Sequence, residues 1–198
     1  MKMQNETKLS VGCVVLAAGN GERFGENKLS AVVEGKTLME RALEAVPADR
    51  LSAVCVVTQY DEVEALAKRF GFRCLRNTHP EQGLSRSVRL GTEALQKDCA
   101  AIVYLVSDQP LLRRESVAAL VDFCRAHPGR IIGAAHNGVR GNPCVFPRKY
   151  YPELCALTGD RGGRAVVRSH EDDLLLFEIE KRELTDVDTR EALRDLQR

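Results

Sequence analysis

The chain has 198 residues, a formal net charge of +1 and 44% hydrophobic residues, enough for one substantial core and too evenly charged to suggest a polyanion partner. Basic residues are scattered among acidic ones, aromatics make up only 5% and tryptophan is absent, which argues against nucleic-acid binding. No apolar run approaches the roughly 18 residues that a bilayer span needs, and Met1–Ser10 is a short polar segment without a signal-peptide core, so a cytoplasmic protein with no membrane partner is expected, with residues 11–198 as one domain.

Val11–Ala17 is rich in aliphatic and β-branched residues with no polar alternation, as in a strand buried on both faces of a parallel sheet. It stops in Ala18-Gly19-Asn-Gly21-Glu-Arg23-Phe-Gly25-Glu-Asn-Lys28. Ligands of open α/β sheets bind at the C-terminal ends of strands, and closely spaced glycines there let backbone N–H groups approach phosphate oxygens. Arg23 and Lys28 add charge suited to a nucleoside triphosphate. The glycines alone would equally suit a tight βα turn with two solvated cations. A dinucleotide-binding turn needs an acidic ribose partner about 20 residues on, at the end of the next strand; that region here is the helix-like Met39–Val46. A Walker loop is also excluded, because Gly35-Lys36-Thr37 lacks its upstream glycine.

The spacing next predicts a helix over Leu38–Val46, a strand over Ala53–Thr58, a helix over Glu62–Phe70 and a strand over Arg73–Leu75. Arg76–Ser85 is a long loop rich in turn formers, followed by a helix over Arg86–Gln96. The apolar run Ala101–Val106 predicts a second buried strand, ending in Ser107-Asp108-Gln109-Pro110. In a parallel sheet Asp108 and the glycine loop share the C-terminal edge, where a hard carboxylate oxygen suits Mg²⁺ beside phosphates. Taken alone, Asp108 could equally cap the following helix. Beyond it, a helix over Glu115–Ala126 leads to a strand over Ile131–Ala135. Gly138–Pro147 packs glycines and prolines around a short strand, Pro143–Phe146, the kind of segment that forms a binding wall. A helix over Gly163–Ser169, a strand over Leu174–Ile179 and a helix over Arg190–Leu196 complete the alternation. The pattern is that of a single doubly wound, mostly parallel, Rossmann-like α/β sheet.

The seven cysteines are far apart and form no Cys-x-x-Cys pair, so reduced, mostly buried thiols are expected. His79 and His127 each precede a proline, and His136 and His170 are isolated. Neither a metal cluster nor a Ser-His-Asp arrangement can be read from these positions.

The glycine loop, Asn77, Gln82-Gly83-Leu84-Ser85-Arg86-Ser87, Asp108-Gln109-Pro110, Gly141-Asn142-Pro143, Gly159-Asp160-Arg161-Gly162-Gly163-Arg164 and Asp186-Val187-Asp188-Thr189 occur in the order seen in one family. From Val11 to Leu193 the chain resembles the MobA-like nucleotidyltransferases, and within them the molybdenum cofactor cytidylyltransferase branch. The resemblance implies that Leu16, Ala17, Ala18, Gly19 and Gly21 lie along the nucleotide, that Arg23 holds the departing pyrophosphate and that Lys28 sits at the α-phosphate. It implies Asn77, Gly83 and Ser87 beside base and ribose, and Gly141, Asn142, Pro143, Gly159 and Asp160 around the acceptor. Asp108 would bind Mg²⁺, with the second ligand at Asp186 or, as favoured here, Asp188. The branch usually has histidine where this chain has Asn142, which bears on the acceptor and not on the nucleotide.

The chemistry fits those parts. A phosphate monoester has its second pKa at about 6, so an attacking phosphate is already ionised near neutral pH and needs no general base. Relatives that use GTP commonly carry Leu-Ala-Gly-Gly, whereas Ala18 places a methyl group beside the base and favours CTP. The expected reaction is CTP plus a molybdopterin-type cofactor giving the cytosine dinucleotide cofactor and pyrophosphate, with a molybdenum hydroxylase apoenzyme as a further partner. Alternatives are GTP, another phosphorylated acceptor such as a sugar or isoprenoid-precursor phosphate, or a cofactor carrier that transfers no nucleotide.

Overall fold

The computed structural model describes residues 9–19 and 28–196. The chain runs β1 (Val11–Ala17), β2 (Val32–Val33), β3 (Lys36–Thr37), α1 (Leu38–Glu44), β4 (Ala53–Thr58), α2 (Asp61–Arg69), β5 (Arg73–Arg76) and α3 (Leu84–Leu95). It continues through β6 (Ala101–Val106), α4 (Arg114–Ala126), β7 (Ile131–His136), β8 (Val139–Pro147), α5 (Tyr151–Ala156), α6 (Gly163–Ser169), β9 (Leu174–Glu178) and α7 (Arg190–Asp195), with short 3₁₀ turns between.

Seven strands form one sheet in the order β5-β4-β1-β6-β8-β7-β9, and β2 with β3 makes a separate small hairpin. β1 pairs in parallel with β4 on one side and β6 on the other, so the winding reverses at β1. That reversal opens a crevice at the C-terminal ends of β1 and β6, the place where doubly wound sheets bind ligands. β8 pairs antiparallel with both β6 and β7. Its first residues therefore lie at the same edge of the sheet as the last residues of β1 and β6.

Alternation along β1 feeds two cores. Val11, Cys13, Val15 and Ala17 pack with Met39, Leu43, Leu66, Val117 and Leu120 from α1, α2 and α4. Val14 packs with Val88, Leu95, Leu154 and Val166 from α3, α5 and α6. Helix α3 comes close to the sheet because residue 91 has no side chain: a Cβ there would lie 2.4 Å from Val14 Cγ1.

Local rules account for most element boundaries. The Thr37 hydroxyl accepts from Glu40 N–H while the Glu40 carboxylate accepts from Thr37 N–H, a capping box that starts α1 and is worth about 1 kcal/mol. Helix α3 begins two residues before the expected Arg86, because Gly83 takes φ +80° and turns the chain into the helix. Helix α5 was not expected, yet Pro152 stands in its first turn, where no backbone donor is lost. Strand β8 extends four residues upstream of the expected start. Asn137 and Gly138, both at positive φ, join β7 and β8 in a two-residue hairpin turn whose twist matches the strands.

Candidate functional site

The loop leaving β1 is tied down by its own carbonyls. Leu16 O accepts from Ser107 Oγ at 2.9 Å, Ala17 O from Thr58 Oγ1 at 2.9 Å, Ala18 O from Gln59 Nε2 at 2.9 Å and Gly19 O from Tyr60 OH at 2.7 Å. Three of these donors are the consecutive residues 58–60 at the end of β4. Four successive carbonyl dipoles are thus engaged within the protein, an arrangement that fixes the start of the glycine loop. Ala18 is buried and Gly19 exposed. Gly21 and Arg23 lie outside the described residues.

Lys28 begins a 3₁₀ turn. Its Nζ lies 2.8 Å from Asp108 Oδ2 and 3.1 Å from Asp188 Oδ1, with the Val187 carbonyl at 3.4 Å. Burial would lower the Lys28 pKa, but the two carboxylates outweigh it and raise the value, so the group is an ammonium. Asp108 does not cap the next helix, which starts at Arg114 with Arg113 as its N-cap. The C-terminal arm is fastened to the same turn. Val187 N–H donates to Asp108 O at 2.8 Å, and the Val187 side chain is fully buried with Val33 and Leu38. Five residues upstream of Asp188, Glu183 is completely buried and accepts from Arg113 N–H at 3.0 Å and from its guanidinium at 2.8 Å.

Asp108 Oδ1 is buried and has no hydrogen-bond partner among the described residues. A bare carboxylate oxygen of this kind, with Asp188 beside it, fits a hard divalent cation completed by waters and phosphate oxygens. No group of three or more His, Cys, Asp or Glu among the described residues forms a metal cage. Asp186 stands behind this centre. Burial and the neighbouring Asp108 charge raise its pKa, opposed by a hydrogen bond from the Gln109 amide.

Asn77 and Ser87 meet in the interior: Asn77 Nδ2 donates to Ser87 Oγ at 3.1 Å, and Asn77 Oδ1 accepts from His79 N–H at 3.0 Å. Both side chains are almost entirely buried, so they brace the loop before α3 and spend their polar atoms on the protein itself. Gly83 touches the Gly159–Asp160 turn directly. A Cβ on it would lie 2.5 Å from the Gly159 carbonyl carbon and 2.6 Å from Asp160 Oδ1, and Ser85 N–H donates to Gly159 O at 3.1 Å.

Two cavities adjoin the centre. The first, of about 590 Å³, is lined by Leu16, Tyr104, Arg140–Asn142, Asp160, Arg164 and Asp186 among others. The second, of about 540 Å³, shares Arg140–Asn142 and Asp186 and adds Gln109, His136 and Lys181. The structure thus brings Gly141, Asn142 and Asp160 onto cavity walls, while Pro143, joined to Asn142 by a cis peptide, lies within β8 and is not part of either lining. Arg140, Arg164 and Gln109 have no role in the sequence reading. Their neighbours in Gly-Asn-Pro, Gly-Gly-Arg and Asp-Gln-Pro were the available signal.

Residues 13–174 match the MobA-like NTP transferase domain. The chain is 29% identical over 192 residues to the purine catabolism protein PucB of Bacillus subtilis, covering 90% of this chain and 91% of that one. It is 33% identical to the 3-phospho-D-glycerate guanylyltransferase of Phenylobacterium zucineum over 67% of this chain and 64% of that one. Among solved structures, Rv0371c of Mycobacterium tuberculosis superposes with a TM-score of 0.81 at 22% identity, covering 96% of this chain and 98% of that one. The same mycobacterial protein has also been solved in complex with manganese, with a TM-score of 0.77, 21% identity and coverage of 95% and 98%. The family match spans most of the chain, from β1 to the start of β9: the chain belongs to the MobA-like NTP transferases and is a nucleotidyltransferase.

Proposed function

We propose that the protein transfers the cytidylyl group of CTP to the terminal phosphate of a molybdenum-bearing pterin cofactor, giving the cytosine dinucleotide cofactor and pyrophosphate in the cytoplasm. The observation that carries the reading is the convergence of Lys28, Asp108 and Asp188, with Asp186 coupling that centre electrostatically to a cavity walled by Arg140–Asn142. The acceptor phosphate attacks the α-phosphorus, an O–P bond forms, and the bond to the β-phosphate breaks with its electrons leaving on pyrophosphate. The nucleophile is already ionised, so the chain needs only to align two anions and offset their charge. The Lys28 ammonium would draw the α-phosphate into place, and Arg23 would take the charge of the leaving group. Asp108 and Asp188 would hold Mg²⁺, which when bound supplies charge neutralisation on the triphosphate. The pinned carbonyls of residues 16–19 hold the start of the loop in place before substrate arrives.

Two further points support this acceptor and base. A relative named for purine catabolism fits a cofactor destined for an enzyme that hydroxylates purines. Ala18 is buried, and its methyl group disfavours a purine more than a pyrimidine, by about 1 to 3 kcal/mol. A second reading, GTP with a small phosphorylated acid, draws on the relative named a 3-phospho-D-glycerate guanylyltransferase and on the guanidinium groups of Arg140 and Arg164 in the first cavity.

The test is pyrophosphate release with Mg²⁺ and molybdenum-loaded pterin, comparing CTP, GTP, ATP and UTP. Release with CTP alone is expected. Release with GTP would keep the reaction and change the base. Silence with all four, followed by turnover on 3-phosphoglycerate or another phosphorylated acceptor, would replace the pterin reading.

A further inference from the structure

The second cavity is lined by a glutamine whose amide oxygen has no hydrogen-bond partner among the described residues. Gln109 is 3% exposed and forms part of the lining. Its amide N–H side is drawn toward the Asp186 carboxylate, whose pKa it helps to hold down. Gln109 Oε1 is buried with no partner among the described residues. Buried polar atoms are almost always hydrogen-bonded, and an exception beside a cavity marks a place where a ligand supplies the missing donor. His136 repeats the pattern in the same lining. Its Nδ1 lies 3.0 Å from the Ile179 carbonyl and must donate to it, which in the neutral ring leaves Nε2 as an acceptor.

We infer that this cavity is a subsite for the amino-substituted edge of a nitrogen heterocycle, and that Gln109 is the residue that selects for that edge. The inference rests on the pterin reading above and assigns the ring, as distinct from the phosphate, to particular residues. Two acceptors in one cavity call for ring N–H donors. A small phosphorylated acid brings mostly acceptors, and its carboxylate or phosphate oxygens would meet Gln109 Oε1 lone pair to lone pair. Lys181, in the same lining, can take an anionic substituent of the ring system. Asp186 links this subsite to the reaction centre, since it lines both cavities and holds the Gln109 amide.

The full-length protein is titrated with hydroxymethylpterin and with its lumazine counterpart, in which a carbonyl replaces the exocyclic amine, following ring fluorescence. The wild type should bind the pterin about tenfold more tightly or better, the loss expected when a buried acceptor meets another acceptor. Gln109→Met should bring that ratio below about threefold, whereas a merely structural role would move both affinities together. A wild-type ratio below threefold, or a ratio unchanged in the variant, would overturn the assignment. If the variant does not fold, the wild-type ratio decides. Pyrophosphate release is scored separately. Turnover on the pterin cofactor with equal affinity for the two rings would keep the proposed reaction and remove the subsite. A Gln109-dependent preference without turnover would do the reverse.

Discussion

Lys28 neutralises two carboxylates that would otherwise repel each other, and the balance of charge at the centre turns on it. Asp108→Asn keeps the shape of the side chain and removes its charge. Pyrophosphate release should fall about 100- to 1000-fold, the range for deleting one well-placed electrostatic contact. The melting temperature should move by only a few degrees, because the side chain is 23% exposed and faces the crevice. A large loss of stability would show that Asp108 is structural. Tyr60 tests the other half of the site. Its hydroxyl holds the Gly19 carbonyl across an exposed contact, worth about 1 kcal/mol. Tyr60→Phe should raise KM for the nucleotide about threefold to tenfold with kcat little changed, since the loop is needed in ground and transition states alike.

At the scale of elements, the arm that carries Asp186 and Asp188 is positioned by Glu183, buried at the start of α4. Burial pushes the Glu183 pKa up, but the hydrogen bonds from the Arg113 side chain and backbone N–H outweigh it and hold the carboxyl below its ordinary value. A carboxyl with a lower pKa folded than unfolded stabilises the fold above the ordinary glutamate range and loses that contribution as pH falls through the folded value. Urea unfolding should therefore show stability declining below about pH 4. Glu183→Gln should cost about 2 kcal/mol at pH 7 and flatten that decline. An unchanged acid limb would place the anchoring elsewhere. Gly83→Ala, with a Cβ forced to φ +80° and against Gly159, should destabilise the joint between the two walls by at least about 2 kcal/mol, read as a lower urea midpoint. Strands β1, β4 and β6 were legible because a buried parallel strand leaves an uninterrupted aliphatic run. Strand β8 was read too short, because Gly141 and Pro143 suppress strand propensity and only its pairing with β6 and β7 overrides them. The Asn137-Gly138 hairpin signal was present and unused. The meeting of Lys28 with Asp108 and Asp188 spans 80 and 160 positions. Nothing local to any of the three residues encodes such a contact, and the sequence reading reached it only through strand-end placement and resemblance.

Over the whole molecule, the two cores bury five of the seven free cysteines and leave Cys74 and Cys155 half-buried. Burial pushes the thiols up, Cys55 and Cys144 to about 12 and Cys124 to about 11. Under native conditions at pH 8 no more than two thiols should react quickly with an aromatic disulfide reagent, and the other five should react at the rate of global unfolding. Rapid labelling of all seven would mean that the layers open without unfolding. The antiparallel strand β8 has a consequence for how such a protein can diversify. Most binding walls are loops that tolerate insertions and deletions, whereas Cys144 and Phe146 reach the first cavity by alternation along a strand paired on both sides. A single inserted residue upstream would turn both away and bring Val145 in. The side chains on this wall can therefore change one at a time, but the strand that carries them cannot change in length without turning them away.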